Sequence, residues 1–317
     1  MLEYLFLIIG IIILVAGAHF LIKGATSLAK LLRVPSLVIG LTVVAFGTSM
    51  PELFINIWAA SQGASQIGLG NVVGSNLINT LLILGMTSLI YSIRVKKSTV
   101  WKEIPFSLLA GVVLLVLAND FILDSQVSFL SRVDGVILLL FFFLFIYYTY
   151  ELATKREANI KADFIVFPNY VVALMLLGGS ISLFIGGKLV VDNAITIATN
   201  LGLSQFIISA TILAVGTSLP ELVTSIVAAL EKKVDLAVGD IVGSNIFNIF
   251  LVLGVSSIIT PIAIPNYINF DFIAIIVATA ILFAFAIWGK KRKLLRWQGA
   301  VLVMLYIVYL MMIIIRG

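Results

Sequence analysis

Long apolar runs recur along this chain from one end to the other. An α-helix needs about 20 predominantly apolar residues to cross a bilayer. Of the 317 residues, 62% are hydrophobic and only 11% are charged, so a water-soluble domain could not hide this much apolar surface. We therefore predict an all-α polytopic membrane protein with ten transmembrane helices. Their approximate bounds are 2–22, 36–60, 67–92, 104–120, 132–151, 166–189, 205–230, 236–259, 269–289 and 297–315.

The basic residues sort to one side of this predicted membrane. If alternate connections are cytoplasmic, 17 of the 20 Lys and Arg residues lie there, and only Arg132, Lys188 and Arg316 lie outside. The positive-inside rule then places both termini outside the cell, in a multi-pass protein of the cell (inner) membrane. Membrane topology therefore explains the net charge of +5 better than nucleic-acid binding does. The first residues, MLEYLFLIIG, lack a basic segment, so we expect no cleavable signal peptide.

Two sequence motifs occur twice at the same spacing. AFGTSMPELF at 45–54 returns as AVGTSLPELV at 214–223, and GNVVGSNLIN at 70–79 returns as GDIVGSNIFN at 239–248, each 169 residues later. The chain therefore contains two five-helix repeats, at 1–151 and 166–317, joined by a short cytoplasmic linker at 152–165. Because five is odd, the second repeat enters the membrane from the opposite side. Inverted repeats of this kind place a shared binding site near the bilayer midplane.

Glu52 is the only charged residue between positions 34 and 93, and it stands beside a predicted helix break. Pro51 has no N–H, and its ring clashes with the carbonyl of Gly47. We expect the helix to kink there and to leave nearby backbone carbonyls without full partners. Broken backbone at membrane depth is tolerated where it is buried in protein or lines a polar cavity. The second copy repeats this arrangement with Pro220 and Gly216, and the exposed carbonyls would be near Ala45–Gly47 and Ala214–Gly216.

Oxygen-bearing side chains follow these breaks at helical spacing. They are Thr48, Ser49 and Glu52, then Ser75 and Asn79, and in the second copy Thr217, Ser218 and Glu221, then Ser244 and Asn248. Hydroxyl, amide, carbonyl and carboxylate oxygens are the ligands of hard cations such as Na⁺ and Ca²⁺. A carboxylate at the bilayer centre costs about 2.5–3.5 kcal/mol, which indicates a functional role. Two carboxylates match one Ca²⁺, which several Na⁺ ions can replace. The alternatives are protonated core acids and, for the serines, helix packing.

These motif pairs resemble the two α-repeats of the sodium/calcium exchanger family, over the whole chain. The resemblance implies a Ca²⁺ site formed by Glu52, Glu221, Thr48 and Thr217. It also implies Na⁺ coordination by Ser49, Ser218, Ser75, Ser244, Asn79 and the carbonyls of Ala45 and Ala214; from its position we expect Asn248 to be a ligand as well. Family members work by alternating access, in which the first and sixth spans slide across the other eight. The implied function is Na⁺/Ca²⁺ antiport, with Ca²⁺ export expected.

Two positions depart from the family pattern. Asn248 stands where some relatives have Asp, so the sequence gives no support for K⁺ co-transport. Asp240 stands where the first repeat has Asn71 and where the family usually has Asn. Asp240, Ser244 and Asn248 are spaced by fours, so Asp240 is a candidate third acid that binds a proton or an accessory ion. The alternative is a solvated or capping Asp near the inner interface.

Other function classes are less well supported by the sequence. An intramembrane hydrolase would need a nucleophile–base or metal motif, and the only histidine, His19, has no HExxH context. A cation channel would use the same oxygen ligands, but inverted halves favour a carrier. H⁺/Ca²⁺ exchange is the second candidate, because buried carboxylates also bind protons. We expect no cofactor, no enzyme activity, the lipid bilayer and transported cations as partners, and a functional monomer.

Overall fold

The computed structural model describes residues 2–119, 129–155, 167–201, 214–288 and 293–316, which form helices and four two-residue strands. In chain order the helices are α1 (Leu2–Leu31), α2 (Ser36–Thr48), α3 (Met50–Ser61), α4 (Ser65–Ile90), α5 (Thr99–Leu117), α6 (Arg132–Lys155), α7 (Asn169–Asn200), α8 (Ala214–Gly216), α9 (Leu219–Leu230), α10 (Val234–Ile259), α11 (Asn269–Trp288) and α12 (Arg296–Arg316), with a 3₁₀ turn at Asn266–Ile268. The predicted all-α class is confirmed.

Eight of these helices are long and apolar enough to cross a membrane. They are α1, α4, α5, α6, α7, α10, α11 and α12. Helices α2 and α3 together form a ninth candidate span that bends by 47° between them. Helix α9 is apolar but only 12 residues long. The span expected at 205–230 begins within 202–213, and most of the expected linker falls within 156–166; both segments lie outside the described residues.

Helices α4 and α10 lie at the centre of the protein. Of their most apolar stretches, 72% and 83% of residues are buried, compared with 17% in α6 and 28% in α12. Each contains a π-helical segment, at Ile78–Ile83 in α4 and at Phe247–Leu253 in α10. Such segments interrupt the regular hydrogen-bond ladder and are frequent at functional sites. The two segments occupy equivalent positions of the two sequence repeats.

The long helices α1 and α7 pack against each other through pairs of glycines. A Cβ atom added to Gly17 would lie 3.0 Å from the carbonyl oxygen of Gly179, and one added to Gly179 would lie 2.9 Å from that of Gly17. Gly10 and Gly186 are related in the same way, at 3.0 and 2.9 Å. Small residues at these positions let the two backbones approach closely. The tight contact between α1 and α7 is therefore formed at Gly10, Gly17, Gly179 and Gly186.

Two short antiparallel strand pairs connect distant loops. Strand β1 (Ile93–Arg94), which follows α4, pairs with β4 (Lys293–Leu294), which precedes α12. Strand β2 (Phe129–Leu130), which precedes α6, pairs with β3 (Ile262–Ala263), which follows α10. Each pair joins a loop of the first sequence repeat to a loop of the second. The two halves of the chain are therefore held together at both pairs.

Candidate cation site

The predicted helix breaks are present, and each is centred on a serine. Ser49 separates α2 from α3 with φ −84° and ψ 5°, and Ser218 precedes α9 with φ −90° and ψ 9°. Pro51 and Pro220 lie in the first turns of α3 and α9, where a proline is tolerated. The breaks position the hydroxyl and carboxylate groups of both motifs at helix ends inside the protein.

One expectation about the backbone at the first break is wrong. The carbonyl of Ala45 keeps its helical partner, because the amide of Ser49 donates to it at 3.0 Å. Gly47 differs, because the residue four positions later is Pro51, which has no N–H to donate. At the second break the amide of Ser218 donates to the carbonyl oxygen of Val215 at 3.2 Å. Any ion contact by the Ala45 carbonyl would therefore use its second lone pair.

The two motif carboxylates are completely enclosed. Glu52 is 0% exposed and Glu221 is 1% exposed. The hydroxyl of Ser49 donates to Oε1 of Glu221 at 3.1 Å, and that of Ser75 lies 3.4 Å from Oε1 of Glu52. The Ser49 contact joins the first motif to the second. The structure thus brings both GTSxPE motifs into one site.

Neither carboxylate is balanced by a basic side chain. Within the described ranges, no Lys, Arg or His forms an ion pair with Glu52 or Glu221. The second oxygen of each, Oε2, is buried and has no hydrogen-bond partner among the described residues. Burying a carboxylate without a partner is costly. A cation between the two acids would offset that cost and satisfy the unpaired oxygens.

Asn79 and Asn248 have the same unusual surroundings in the two halves. Both are 0% exposed, and both are the second residues of the π-helical segments in α4 and α10. Neither amide oxygen nor amide nitrogen of either residue has a hydrogen-bond partner among the described residues. Most buried side-chain polar atoms in proteins are hydrogen-bonded. Two unpaired amides at equivalent positions are therefore consistent with the predicted ligand role.

Asp240 belongs to this site rather than to the protein surface. It is 0% exposed and lies six residues after the first residue of α10. Its Oδ1 accepts a hydrogen bond from Thr48 at 2.9 Å, and its Oδ2 accepts one from Ser225 at 3.2 Å. The alternative of a solvated or capping Asp is therefore wrong. The hydroxyl of Ser244 also lies 3.4 Å from that of Thr48.

In the second half, Thr217 makes the corresponding contact. Its hydroxyl donates to Oδ1 of Asn71 at 3.1 Å. The motif pattern identifies Asn71 only as the counterpart of Asp240, and it does not identify Ser225 as a site residue. Ser225 lies four residues after Glu221, so it shares a helix face with that acid, and this spacing was an available signal.

A cavity of about 310 Å³ reaches this region from the side of α7. Its walls include Gly216, Thr217 and Pro220 at the second break and Pro51 after the first. The α7 side contributes Lys188 and Asp192, both exposed, among other residues. The cavity therefore extends from the exposed surface of α7 to Thr217. His19 lies elsewhere: its Nδ1 is 2.8 Å from Oε1 of Glu231, at the end of α9.

All the candidate cation ligands of this site are oxygen atoms. No group of three or more His, Asp or Glu side chains within the described part of the chain is arranged to hold a metal ion. The site instead combines the two motif carboxylates, with Asp240 beside them, and neutral hydroxyl and amide oxygens. Such oxygens suit Na⁺ and Ca²⁺ better than transition metals.

Comparisons with known proteins agree with this chemistry. The family model described as sodium/calcium exchanger protein matches residues 2–151 and 171–315. The sequence is 35% identical to the putative antiporter CaxA of Alkalimonas amylolytica, over 96% of each chain. It is 31% identical to the sodium/calcium exchanger MaX1 of Methanosarcina acetivorans, over 98% of each chain. A solved structure of the sodium-calcium exchanger NCX_Mj superimposes with a TM-score of 0.83 at 31% identity, covering 97% of each chain.

Proposed function

Because this chain belongs to the sodium/calcium exchanger family, we propose that it exchanges Na⁺ for Ca²⁺ by alternating access and exports Ca²⁺. The observation that carries this proposal is the pair of buried acids, Glu52 and Glu221, whose unpaired oxygens have no basic partner among the described residues. The family consists of exchangers rather than enzymes. Export would be favoured whenever more than two Na⁺ enter per Ca²⁺, because net positive charge then moves into the cell.

The proposed ligands divide between the two ions. Ca²⁺ would be held by the two carboxylates, whose charge it neutralises, with the two motif threonines as neutral ligands. Na⁺ ions would replace it by using more of the neutral oxygens. The Ca²⁺ set is Glu52, Glu221, Thr48 and Thr217. The Na⁺ set is Ser49, Ser218, Ser75, Ser244, Asn79, Asn248 and the carbonyls of Ala45 and Ala214.

The strand pairs support ten spans. Paired strands lie on the same side of the membrane, so the chain between them crosses an even number of times. Between β1 and β4 there are five helices that qualify as spans, and between β2 and β3 there are three. An even number requires the segment that contains α9 to cross as well. Ten spans, five in each repeat, make the repeats inverted and put both termini on the side opposite to β1.

The close packing of α1 against α7 supports the proposed movement. These helices correspond to the first and sixth spans, which slide in the family mechanism. Glycine contacts hold their backbones together at two levels, so they would move as one unit. The access cavity lies between α7 and both helix breaks. Sliding of α7 would therefore open or close the route to the proposed ion ligands.

H⁺/Ca²⁺ exchange is the second candidate, and Asp240 is the observation that favours it. A third buried carboxyl group beside the site offers a further position for a proton. The same protein surfaces and the same movement would serve either coupling ion.

Uptake of ⁴⁵Ca²⁺ into proteoliposomes tests both candidates. Vesicles are loaded with Na⁺, K⁺ or choline, each with and without a pH gradient. We expect uptake from Na⁺-loaded vesicles alone. Uptake driven by the pH gradient without Na⁺ would contradict Na⁺ coupling and support proton exchange. Uptake that needs no counter-ion would contradict both and indicate a channel.

A further inference from the structure

We infer that Asp240 and Asn71 are positioning residues that fix the hydroxyl orientation of Thr48 and Thr217, the two threonines of the proposed Ca²⁺ site. This inference rests on the proposed function. It assigns to Asp240 a role through Thr48, not a role as an ion-binding acid in its own right. It assigns to Asn71 a role that sequence reasoning did not give it.

The argument begins with the valence of a threonine hydroxyl. The group has one proton to donate and two lone pairs that can bind a cation. When the proton goes to a protein acceptor, its direction is fixed and the lone pairs point elsewhere. Residues behind a ligand commonly orient it in this way, and replacing them costs about 10–100-fold in metal affinity.

Thr48 has four possible acceptors within reach, so its orientation needs to be determined. One of them is the Ser244 hydroxyl, 3.4 Å away. The carbonyl oxygens of Val44 and Ala45 lie 3.2 and 3.3 Å from its hydroxyl, and Oδ1 of Asp240 lies 2.9 Å away. The carbonyls belong to the threonine's own helix, and donation to one of them would leave a hydroxyl lone pair facing the Asp240 oxygen on α10. The carboxyl oxygen of Asp240 is the nearest of these acceptors, so the Thr48 hydroxyl donates its hydrogen to it. Ser225 donates to its other oxygen at 3.2 Å and holds the carboxyl group in place.

The second half of the protein repeats the contact with a neutral acceptor. Thr217 is the counterpart of Thr48 in the sequence repeats, and Asn71 is the counterpart of Asp240. The hydroxyl of Thr217 lies 3.1 Å from Oδ1 of Asn71. Asn71 uses only its oxygen there, because its amide nitrogen has no partner among the described residues. The two pairs share the acceptor oxygen and differ in charge. The shared feature is therefore the one that the threonine needs.

Four variants separate acceptor from charge. Asp240→Asn keeps an oxygen in place, Asp240→Ala removes it, and Asn71→Asp and Asn71→Ala do the same in the other half. We expect each Ala variant to raise the KM for Ca²⁺ by about 10–100-fold with a smaller change in maximal rate. We expect Asp240→Asn to restore most of that loss. A loss in Asp240→Asn equal to that in Asp240→Ala would overturn the inference and make the negative charge essential.

A double-variant cycle tests whether Asp240 acts through Thr48. If it does, Thr48→Ala combined with Asp240→Ala is no worse than Thr48→Ala alone, because interacting residues are not additive. Additive losses would contradict a positioning role. Ser256→Ala is a matched control, because the Ser256 hydroxyl donates to the carbonyl oxygen of Val252 in its own helix, at 2.7 Å.

The failure of this inference can be told apart from failure of the proposed function. Wild-type exchange is measured first, and ⁴⁵Ca²⁺ binding to purified protein in detergent is measured for every variant. Wild-type protein without exchange would contradict the proposed function. If wild-type protein exchanges and binds ⁴⁵Ca²⁺, and Asp240→Ala and Asn71→Ala bind it with unchanged affinity, the positioning role is contradicted and the proposed function stands.

A separate observation carries a second proposal. We propose that a groove between the start of α5 and the end of α6 binds the headgroup phosphate of an anionic phospholipid. The groove encloses about 410 Å³, and Lys97, Lys102, Trp101, Tyr148 and Glu151 are among its lining residues. Two ammonium groups and one carboxylate leave the lining with a net positive charge.

Lys97 and Lys102, which line this groove, differ from the neighbouring Lys96 in their contacts. The ammonium of Lys96 forms an ion pair with Oδ2 of Asp235 at 2.5 Å. Lys97 forms no ion pair within the described part of the chain. The ammonium of Lys102 lies 5.5 Å from the centre of the Tyr148 ring, which attracts a cation. Tyr148 in turn donates its hydroxyl to the buried Glu103, which fixes the ring beneath Lys102.

Trp101 indicates that the occupant is a lipid. Its side chain is 57% exposed, and it packs edge-on against Phe283 of α11 at 5.8 Å. Tryptophans in this setting are enriched at membrane–water interfaces. Basic pockets between transmembrane helices bind anionic lipid headgroups. The groove combines both features at the end of two candidate spans.

Native mass spectrometry of the purified protein tests this site with phosphatidylglycerol, phosphatidylcholine and inorganic phosphate. We expect retained phosphatidylglycerol with wild type and with the control Lys96→Gln, and a loss of at least about tenfold in retained lipid with Lys97→Gln/Lys102→Gln, since phosphate contacts depend on these charges. Equal retention by the double variant, or equal retention of phosphatidylcholine, would overturn the proposal. Binding of inorganic phosphate alone would show a phosphate site that is not a lipid site.

Discussion

Ser49 donates its hydroxyl hydrogen to Glu221 across 172 positions of the chain, at 3.1 Å. The serine is the residue at which the first broken helix bends, and the acid lies in the first turn of the helix after the second break. Each break therefore supplies part of one site rather than a site of its own. From this contact we expect that neither motif would bind a cation alone.

Replacing either acid should abolish transport without unfolding the protein. We expect Glu52→Gln and Glu221→Gln to reduce ⁴⁵Ca²⁺ uptake to background, because glutamine keeps the shape and removes a charge that Ca²⁺ needs. Both variants should elute as wild type on size exclusion, since an uncompensated buried charge is costly. Glu3→Gln, at the start of α1 and outside the site, is the control. Near-normal uptake by either acid variant would overturn the ligand assignment.

Replacing Asn79 or Asn248 should raise the stability of the protein and weaken its function. Asn79→Leu and Asn248→Leu each remove two buried polar atoms that have no hydrogen-bond partner in the described part of the chain, and each such atom costs about 1–3 kcal/mol. We expect a melting temperature higher by about 2 °C or more and a reduced dependence of exchange on Na⁺. Thermal unfolding in detergent and Na⁺ titration of ⁴⁵Ca²⁺ efflux measure the two effects. A lower melting temperature would indicate that these amides are structural.

Neighbouring glycines of α7 offer a matched test of the helix contact. A Cβ on Gly179 would lie 2.8 Å from the backbone nitrogen of Leu21, whereas one on Gly178 would meet no atom within 4 Å. We expect Gly179→Ala to destabilise the protein by about 1–3 kcal/mol and to slow exchange. Gly178→Ala should behave as wild type. Equal exchange rates in the two variants would argue against a functional α1–α7 contact.

The orientation in the membrane can be tested directly, because the chain has no cysteine. Gln62 follows α3 and Lys232 follows α9, and both are exposed. We expect a membrane-impermeant maleimide to label Gln62→Cys in intact cells and Lys232→Cys only after permeabilisation. Labelling in the reverse order would invert the proposed topology and place the termini inside. Labelling of both in intact cells would contradict the proposed number of spans.

Local chemistry was sufficient to predict a large part of this protein. Apolar runs specify spans because a bilayer excludes unpaired backbone, and the bounds predicted for α2–α3 and α4 agree with the structure to within two residues. Pro51 and Pro220 predict the breaks because proline cannot continue a helix. The isolated Glu52 indicates a site because an intramembrane charge is expensive.

The partners within the site depend on contacts that sequence spacing does not contain. Spacing places Ser49 near Glu52, but its hydroxyl reaches Glu221. The burial of Asp240 and its contact with Thr48 follow from how α2 and α9 pack against the central helices. The same packing leaves the amides of Asn79 and Asn248 without hydrogen-bond partners among the described residues. The sequence by itself determined the candidate spans that the structure describes, the breaks and the kinds of oxygen available. Only the tertiary structure decided which oxygens meet, because these contacts join residues far apart in the chain.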